Sequence, residues 1–508
     1  MKRYVIGIDL GTTGVKSVLV DEQGKVIDSI VREYPLITPK PGWAQQDPRL
    51  WWQATVESLK TLLKTVSAGS ISGIGLTGQM HGAVFLDHDG EILYPAILWC
   101  DQRTARECEQ INETVGNDRI FDITCNPVLT GFQAPKILWL KNNHPDIFKK
   151  IKKVLLPKDY IRFKLTRSFA TDVSDASGTS LFDVKKRTWS NEIFDALEFS
   201  HQWFPACYES VEITSKTSKE TEQLTGIPEG TFVVAGAGDQ AAGAIGTGIT
   251  KEKLISISLG TSGVVFAFSE KPSVDPCGRL HTFCHAVPGK WHLMGVMLSA
   301  GGSFRWFRDA LGKHEIEQAK KENRDVYEIL TAMAEKAAAG SDGVIFLPYL
   351  SGERCPYPDP NAKGVFFGLS LKTTKAEMIR AVLEGVSFGL RDSVEIMKEI
   401  GLPFGGHCRI SGGGARSSFW AQLLADIVGE KMVRLVSEEG PAYGAALLAG
   451  SGTKLFPPIE ETCDMFISIK DEFNPDTDHY KFYDKIYKIY RNLYTALKPS
   501  FDLLADIS

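Results

Sequence analysis

No GxxxxGK[ST] segment occurs in the 508 residues, so a P-loop is excluded as the way of holding a nucleotide. Nowhere do about 18 apolar residues run together, and Asp9 and Lys16 break the one apolar stretch near the start, which leaves neither a membrane span nor an export signal to be expected. Runs of basic residues are missing too. The formal net charge is −5, and a chain of that balance carries no electrostatic footprint for a nucleic-acid backbone or an anionic membrane. Cysteine is sparse: nine residues lie singly with no Cys-x-x-Cys pair, an odd and scattered count that reads as reduced thiols in the cytoplasm. In such a compartment the Asn112-Glu113-Thr114 triplet is a chance glycosylation match.

The chain does have enough apolar material, 43% of its residues, for two or three domains. Residues 4–20 alternate β-branched and apolar positions around a Gly/Thr turn, and DEQGK then turns the chain into VIDSIV, which predicts three successive strands. Leu10-Gly11-Thr12-Thr13-Gly14-Val15 recurs as Leu259-Gly260-Thr261-Ser262-Gly263-Val264, about half the chain later. Two similar domains facing each other are expected, 1–247 and 248–508, each opening its own sheet with this hairpin. Helices are predicted after Asp47-Pro48, over TKAEMIRAVLEGVSFGLRDSVEIMKEI, over SSFWAQLLADIV, and over the aromatic C-terminal stretch starting at Asp478. Strands and helices mix in both halves, so the class is α/β.

Two tempting motifs fail on context. Gly73-Ile74-Gly75-Leu76-Thr77-Gly78 matches a dinucleotide fingerprint, but the next residues, QMHGAVFLDHDGEIL, read as strand and hairpin, with no helix N-terminus to receive a pyrophosphate. His281, Cys284 and His285 resemble a zinc set, yet along a strand Cys284 faces away from the two histidines.

The paired Gly/Thr turns are more informative. Each reads as either an ordinary hairpin or a concavity of backbone N–H groups with a hydroxyl beside them, and two copies favour a phosphate chain clamped between lobes. Only the first has an acid just before it, Asp9, where the second has Ser258, which places a hydrated Mg²⁺ on the first side. Asp239 comes after an apolar strand and a Gly turn; it is either an N-cap or a carboxylate that stays ionised and accepts a hydroxyl proton, with Gly236, Gly238 and Gly243 letting a substrate approach the backbone. A flat purine can lie on the turn Gly412, Gly413, Gly414.

Taken in order, GIDLGTTGVK, GLTGQMHGAVFLD, GFQAPKILWL, LLPKDYIRFKLT, DVSDASGT, GAGDQAAGAIG, SLGTSGV, FLPYLSGER, GGGARSSFW and GPAYGAALLA resemble the FGGY carbohydrate kinases over nearly the whole chain. The resemblance implies two actin-like ATPase (ribonuclease H-like) domains around a central cleft, with ATP, Mg²⁺ and a small ketopentose as ligands. GQMHG and LLPKDY point within the family to D-xylulose; ribulose, gluconate or glycerol are the rival acceptors, and an actin- or chaperone-type ATPase is the rival class. By position, Asp239 matches the catalytic base and Asp9 the metal-side carboxylate. Met80 and His81, with Asp239 and Gln240, match the sugar pocket. Gly11, Thr12 and Thr13, and Gly260, Thr261 and Ser262, match the phosphate loops, and Gly412 to Gly414 the adenosine segment. Gln240 stands where Asn is usual, Cys100 where Asn is, and Gln133 and Cys355 where Thr is. The sequence does not choose between a monomer and a homodimer.

Overall fold

The computed structural model describes residues 2–437 and 439–507, so Met1 and Ser508, the outermost residues of the two expected domains, lie outside it. The first expected strands form as predicted. Tyr4–Leu10, Gly14–Asp21 and Val26–Glu33 pair antiparallel in succession, and Ile71–Gly78 joins the other side of Tyr4–Leu10 in parallel. Phe232–Val234 adds a further parallel strand and Ile213–Lys216 closes the sheet antiparallel.

The second half repeats this order. Trp291–Met297, Gly263–Ser269 and Leu254–Leu259 are antiparallel; His407–Ser411 and Met432–Leu435 continue in parallel; Ile469–Phe473 ends the sheet antiparallel. One extra edge strand, His281–Cys284, lies outside Trp291–Met297. The duplicated hairpin is therefore the visible part of a duplicated sheet, and the actin-like ATPase fold occurs twice.

Two helices at equivalent places in the repeat hold the lobes together. Asp239–Gly246 comes after the parallel strands of the first half and Gly440–Gly452 after those of the second, and they pack on each other, while Gly440–Gly452 also crosses back onto Tyr4–Leu10 and Ile71–Gly78. Only small residues permit this approach. A Cβ at Gly444 would lie 1.8 Å from the Ala242 carbonyl oxygen, and one at Gly7 or at Gly75 would lie 1.9 Å from the Ala442 or Ala445 oxygen. In the false dinucleotide fingerprint Gly73 and Gly75 thus admit the Gly440–Gly452 helix and its cap, and Gly78 admits Leu10 of the neighbouring strand.

The predicted helices form, with Asp47 capping Pro48–Leu62 and a Thr374/Glu377 capping box opening Lys375–Glu399, which runs buried through the second-half core. The C-terminal helix spans Thr477–Ile507 and buries Tyr483, Tyr487, Tyr490 and Tyr494. Among the described residues no helix is long and apolar enough to cross a membrane.

Candidate functional site

Parallel strands deliver the candidate residues. Asp9 lies level with Thr77, and Thr77 with Ala237, across three adjacent strands whose C-terminal ends point the same way. Just past those ends come Gly11, Met80 and Asp239, so chain topology alone gathers them at the crevice where parallel sheets bind ligands.

Asp239 is the first residue of its helix, and Gly238 occupies the capping position with no side chain to bond, so the N-cap reading of Asp239 is overturned. Nor does the helix terminus keep it an ordinary acid. Burial raises its pKa to about 6 against the Gln240 backbone and side-chain amides, which favour the carboxylate. Asp9 is pushed up to about 7, first by burial and then by the Asp239 charge, with Lys16 opposing. The repulsion falls on Asp9 because it ionises second. Its Oδ1 is buried and has no hydrogen-bond partner, which fits a carboxylate reserved for a cation. Among the described residues no three His, Cys, Asp or Glu side chains are grouped to hold a metal ion. His281 Nδ1 faces Asn126 Oδ1 at 3.0 Å, and Cys284 Sγ lies 3.5 Å from the Val184 carbonyl.

Met80 reaches the residue before Asp239, and His81 borders Gly178 beside it. The Met80 side chain fills the space beside Gly238, where an added Cβ would meet its Sδ at 2.9 Å. Gly238 is therefore open to Met80 and not to a substrate, and Gly236, at φ +74, sits where a Cβ would lie 2.0 Å from the Leu76 carbonyl oxygen. Gly243, the third glycine expected to admit a ligand, lines a cavity. That cavity, about 330 Å³, runs from Asp239, Gln240 and Gly243 past Ser258 to Gly412 and Gly413. A second, about 930 Å³, is lined by Gly260, Thr261, Gly413, Gly414 and Trp420. The Gly412 to Gly414 turn thus separates the chamber that holds Asp239 from a larger one walled by Phe304, Tyr327, Phe419 and Trp420.

Thr12, Thr13, Thr261 and Ser262 have backbone N–H groups that find no acceptor among the described residues, as an anion-binding turn requires. The Thr12 hydroxyl, expected as a further donor, already donates to Gln79 Oε1 at 3.2 Å and accepts from Trp99 Nε1 at 3.0 Å. Gln46 Nε2 donates to the Thr12 carbonyl at 2.7 Å, and Gly301 N and Gly302 N brace the second turn through the Gly260 and Thr261 carbonyls. Neither cavity is lined by Asp9, Ser262 or the residues Gly11 to Thr13.

Several residues in this frame were invisible to motif reading. Ser174 donates its backbone N–H and its hydroxyl to the Asp172 carboxylate, and its Oγ accepts from Gly238 N at 3.0 Å, bracing the residue before Asp239. Fully buried Lys158 sits 2.9 Å from Asp172 and 2.6 Å from Asp159. These residues lie in LLPKDY and DVSDASGT, two segments that carry the family resemblance, but nothing in a string says that a lysine is buried among acids.

The N-terminal domain model of the FGGY family of carbohydrate kinases matches residues 4–246 and the C-terminal domain model residues 255–453. The chain is similar to a xylulose kinase of Escherichia coli strain K12, 42% identical over 97% of this chain and 99% of that protein. Among solved structures it is similar to a ligand-bound xylulose kinase from Lactobacillus acidophilus, 29% identical, TM-score 0.92, covering 99% of this chain and all of that one. A gluconate kinase from the same organism is as similar in shape, 30% identical, TM-score 0.92, with the same coverage of both chains.

Proposed function

The chain belongs to the FGGY family of carbohydrate kinases, and on that premise we propose that it transfers the γ-phosphoryl group of ATP to the hydroxyl at carbon five of D-xylulose. The observation that carries this reading is the place of Asp239, which opens the chamber leading to the Gly412 turn while its neighbour Gly238 packs on Met80. Sugar side and phosphate side meet at one carboxylate. The xylulose kinase names of the similar proteins support the choice of sugar.

Asp239, with a pKa of about 6, is a carboxylate at neutral pH and takes the proton as the sugar oxygen attacks in line. The free N–H groups of the two turns hold phosphate oxygens, and the Gly260 and Gly414 chamber takes the adenosine. Asp9 would hold Mg²⁺, which when bound offsets charge on the phosphates. Closure of the two halves about the division near residue 247 excludes water, the competing acceptor. The nine cysteines, all free, support a reducing cytoplasmic setting.

A coupled ADP-release assay with D-xylulose, D-ribulose, L-ribulose, glycerol and gluconate tests the assignment. D-xylulose is expected to lead in kcat/KM by roughly tenfold or more, since a polar group left unpaired in a closed site costs about 1 to 3 kcal/mol. Gluconate matching or exceeding it would reassign the enzyme.

A further inference from the structure

His81 is held more tightly than a substrate contact needs. Its backbone is left-handed at φ +68, a conformation uncommon outside glycine. Its carbonyl accepts from Lys136 Nζ at 2.8 Å; that lysine is fully buried and also donates to the Gly131 carbonyl. The imidazole stacks on Phe132 with centroids 4.5 Å apart and leans on Phe283 from the other lobe at 6.1 Å.

The decisive contact is His81 Nδ1 to the Gly178 carbonyl oxygen, 2.6 Å. A carbonyl only accepts, so Nδ1 carries the hydrogen. In a neutral ring the other nitrogen is then a bare acceptor, and His81 Nε2 makes no hydrogen bond among the described residues. From this geometry we infer that His81 is a fixed Nδ1–H tautomer whose Nε2 lone pair selects a sugar position bearing a hydroxyl hydrogen, and rejects any group there that only accepts. The inference rests on the sugar-kinase reading for its ligand, but the tautomer stands on the protein alone.

Protonation does not relax this rule near neutrality. Burial brings the ring's pKa down to about 3 against the stabilising Gly178 contact, and the charges acting on it, Lys136 and Arg354, are both cations; His281, which also packs on Phe132, is itself held below the usual histidine range by burial. The ring therefore does not become a donor by gaining a second hydrogen. A flipped ring would present Cδ2 to the Gly178 carbonyl and lose the Nδ1 hydrogen bond, which therefore holds the orientation.

Two measurements on the full chain test this. Nitrogen-15 correlation spectra, with the His81 signals identified by their loss in His81→Gln, are expected to show the Nδ1–H tautomer from pH 8 to 5.5; an Nε2–H tautomer or an imidazolium in that range overturns the inference. Separately, D-xylulose analogues carrying hydrogen or fluorine in place of the hydroxyl at carbon one, three or four are compared as substrates. Fluorine accepts weakly and never donates. At one position both analogues should lose roughly tenfold or more in kcat/KM, equally, and that loss should shrink in His81→Phe. A position where hydrogen is penalised and fluorine tolerated, with the difference abolished in His81→Phe, means that His81 donates and the inference is wrong. Absence of turnover with D-xylulose itself would sink the functional reading and leave the spectra to decide the tautomer.

Discussion

Asp9 and Asp239 show how little a residue's name says before its surroundings are known. Both are half-buried acids shifted upward, to about 7 and about 6, chiefly by lost solvation. A base raised in this way is active only when deprotonated, so kcat/KM for D-xylulose should rise with pH through a limb between about 6 and 7 and level off above it. A profile flat down to pH 5 would contradict the assignment of the base. Asp9→Ala should raise the Mg²⁺ concentration needed for half-maximal rate by about tenfold or more without lowering the thermal unfolding temperature, since its Oδ1 bonds to nothing in the protein and its charge is desolvated. An unchanged Mg²⁺ requirement would take the cation away from Asp9. Both acids are legible in the sequence because each sits beside a Gly turn. The roles of Lys136, Ser174 and Gln79 are not, because their partners are backbone and side-chain atoms dozens of residues away, such as the His81 carbonyl for Lys136.

At the scale of elements, the repeat is legible in a six-residue copy because both copies make the same hairpin around the same turn of open backbone N–H groups. Helix starts are legible for a local reason: Asp47, Thr374 and Ser417 each cap with their own side chains. The crossing of Asp239–Gly246 and Gly440–Gly452 is not, because a glycine required by a neighbouring helix looks the same in sequence as one required by a ligand. The same ambiguity makes Gly236 and Gly238 look like substrate-facing positions when they are packing ones. Gly75→Ala tests the packing account: with the Ala445 carbonyl oxygen 1.9 Å from the new Cβ, helix and sheet must part, and stability should fall by about 2 kcal/mol or more in urea unfolding. Unaltered stability would mean the helix yields freely.

For the whole molecule, two copies of one sheet face each other, and the chemistry comes from what they do not share. The first copy has Asp9 before its turn where the second has Ser258, and only the first has a Met80-His81 pair past its neighbouring strand. On the proposed reading one lobe holds the sugar and the cation, while the second supplies the larger chamber beside Gly260 and Gly414. Everything in that division converges on Asp239. The most direct measurement is sugar phosphate formation by Asp239→Asn, with calorimetric binding of ATP and D-xylulose and thermal unfolding on the same preparation. The side chain is not a cap, and the amide keeps its shape while removing a desolvated acid, so folding and binding should persist. The amide cannot take a proton. Transfer should fall by about a hundredfold or more; a folded variant that binds both ligands and transfers phosphate at near the normal rate would contradict the account.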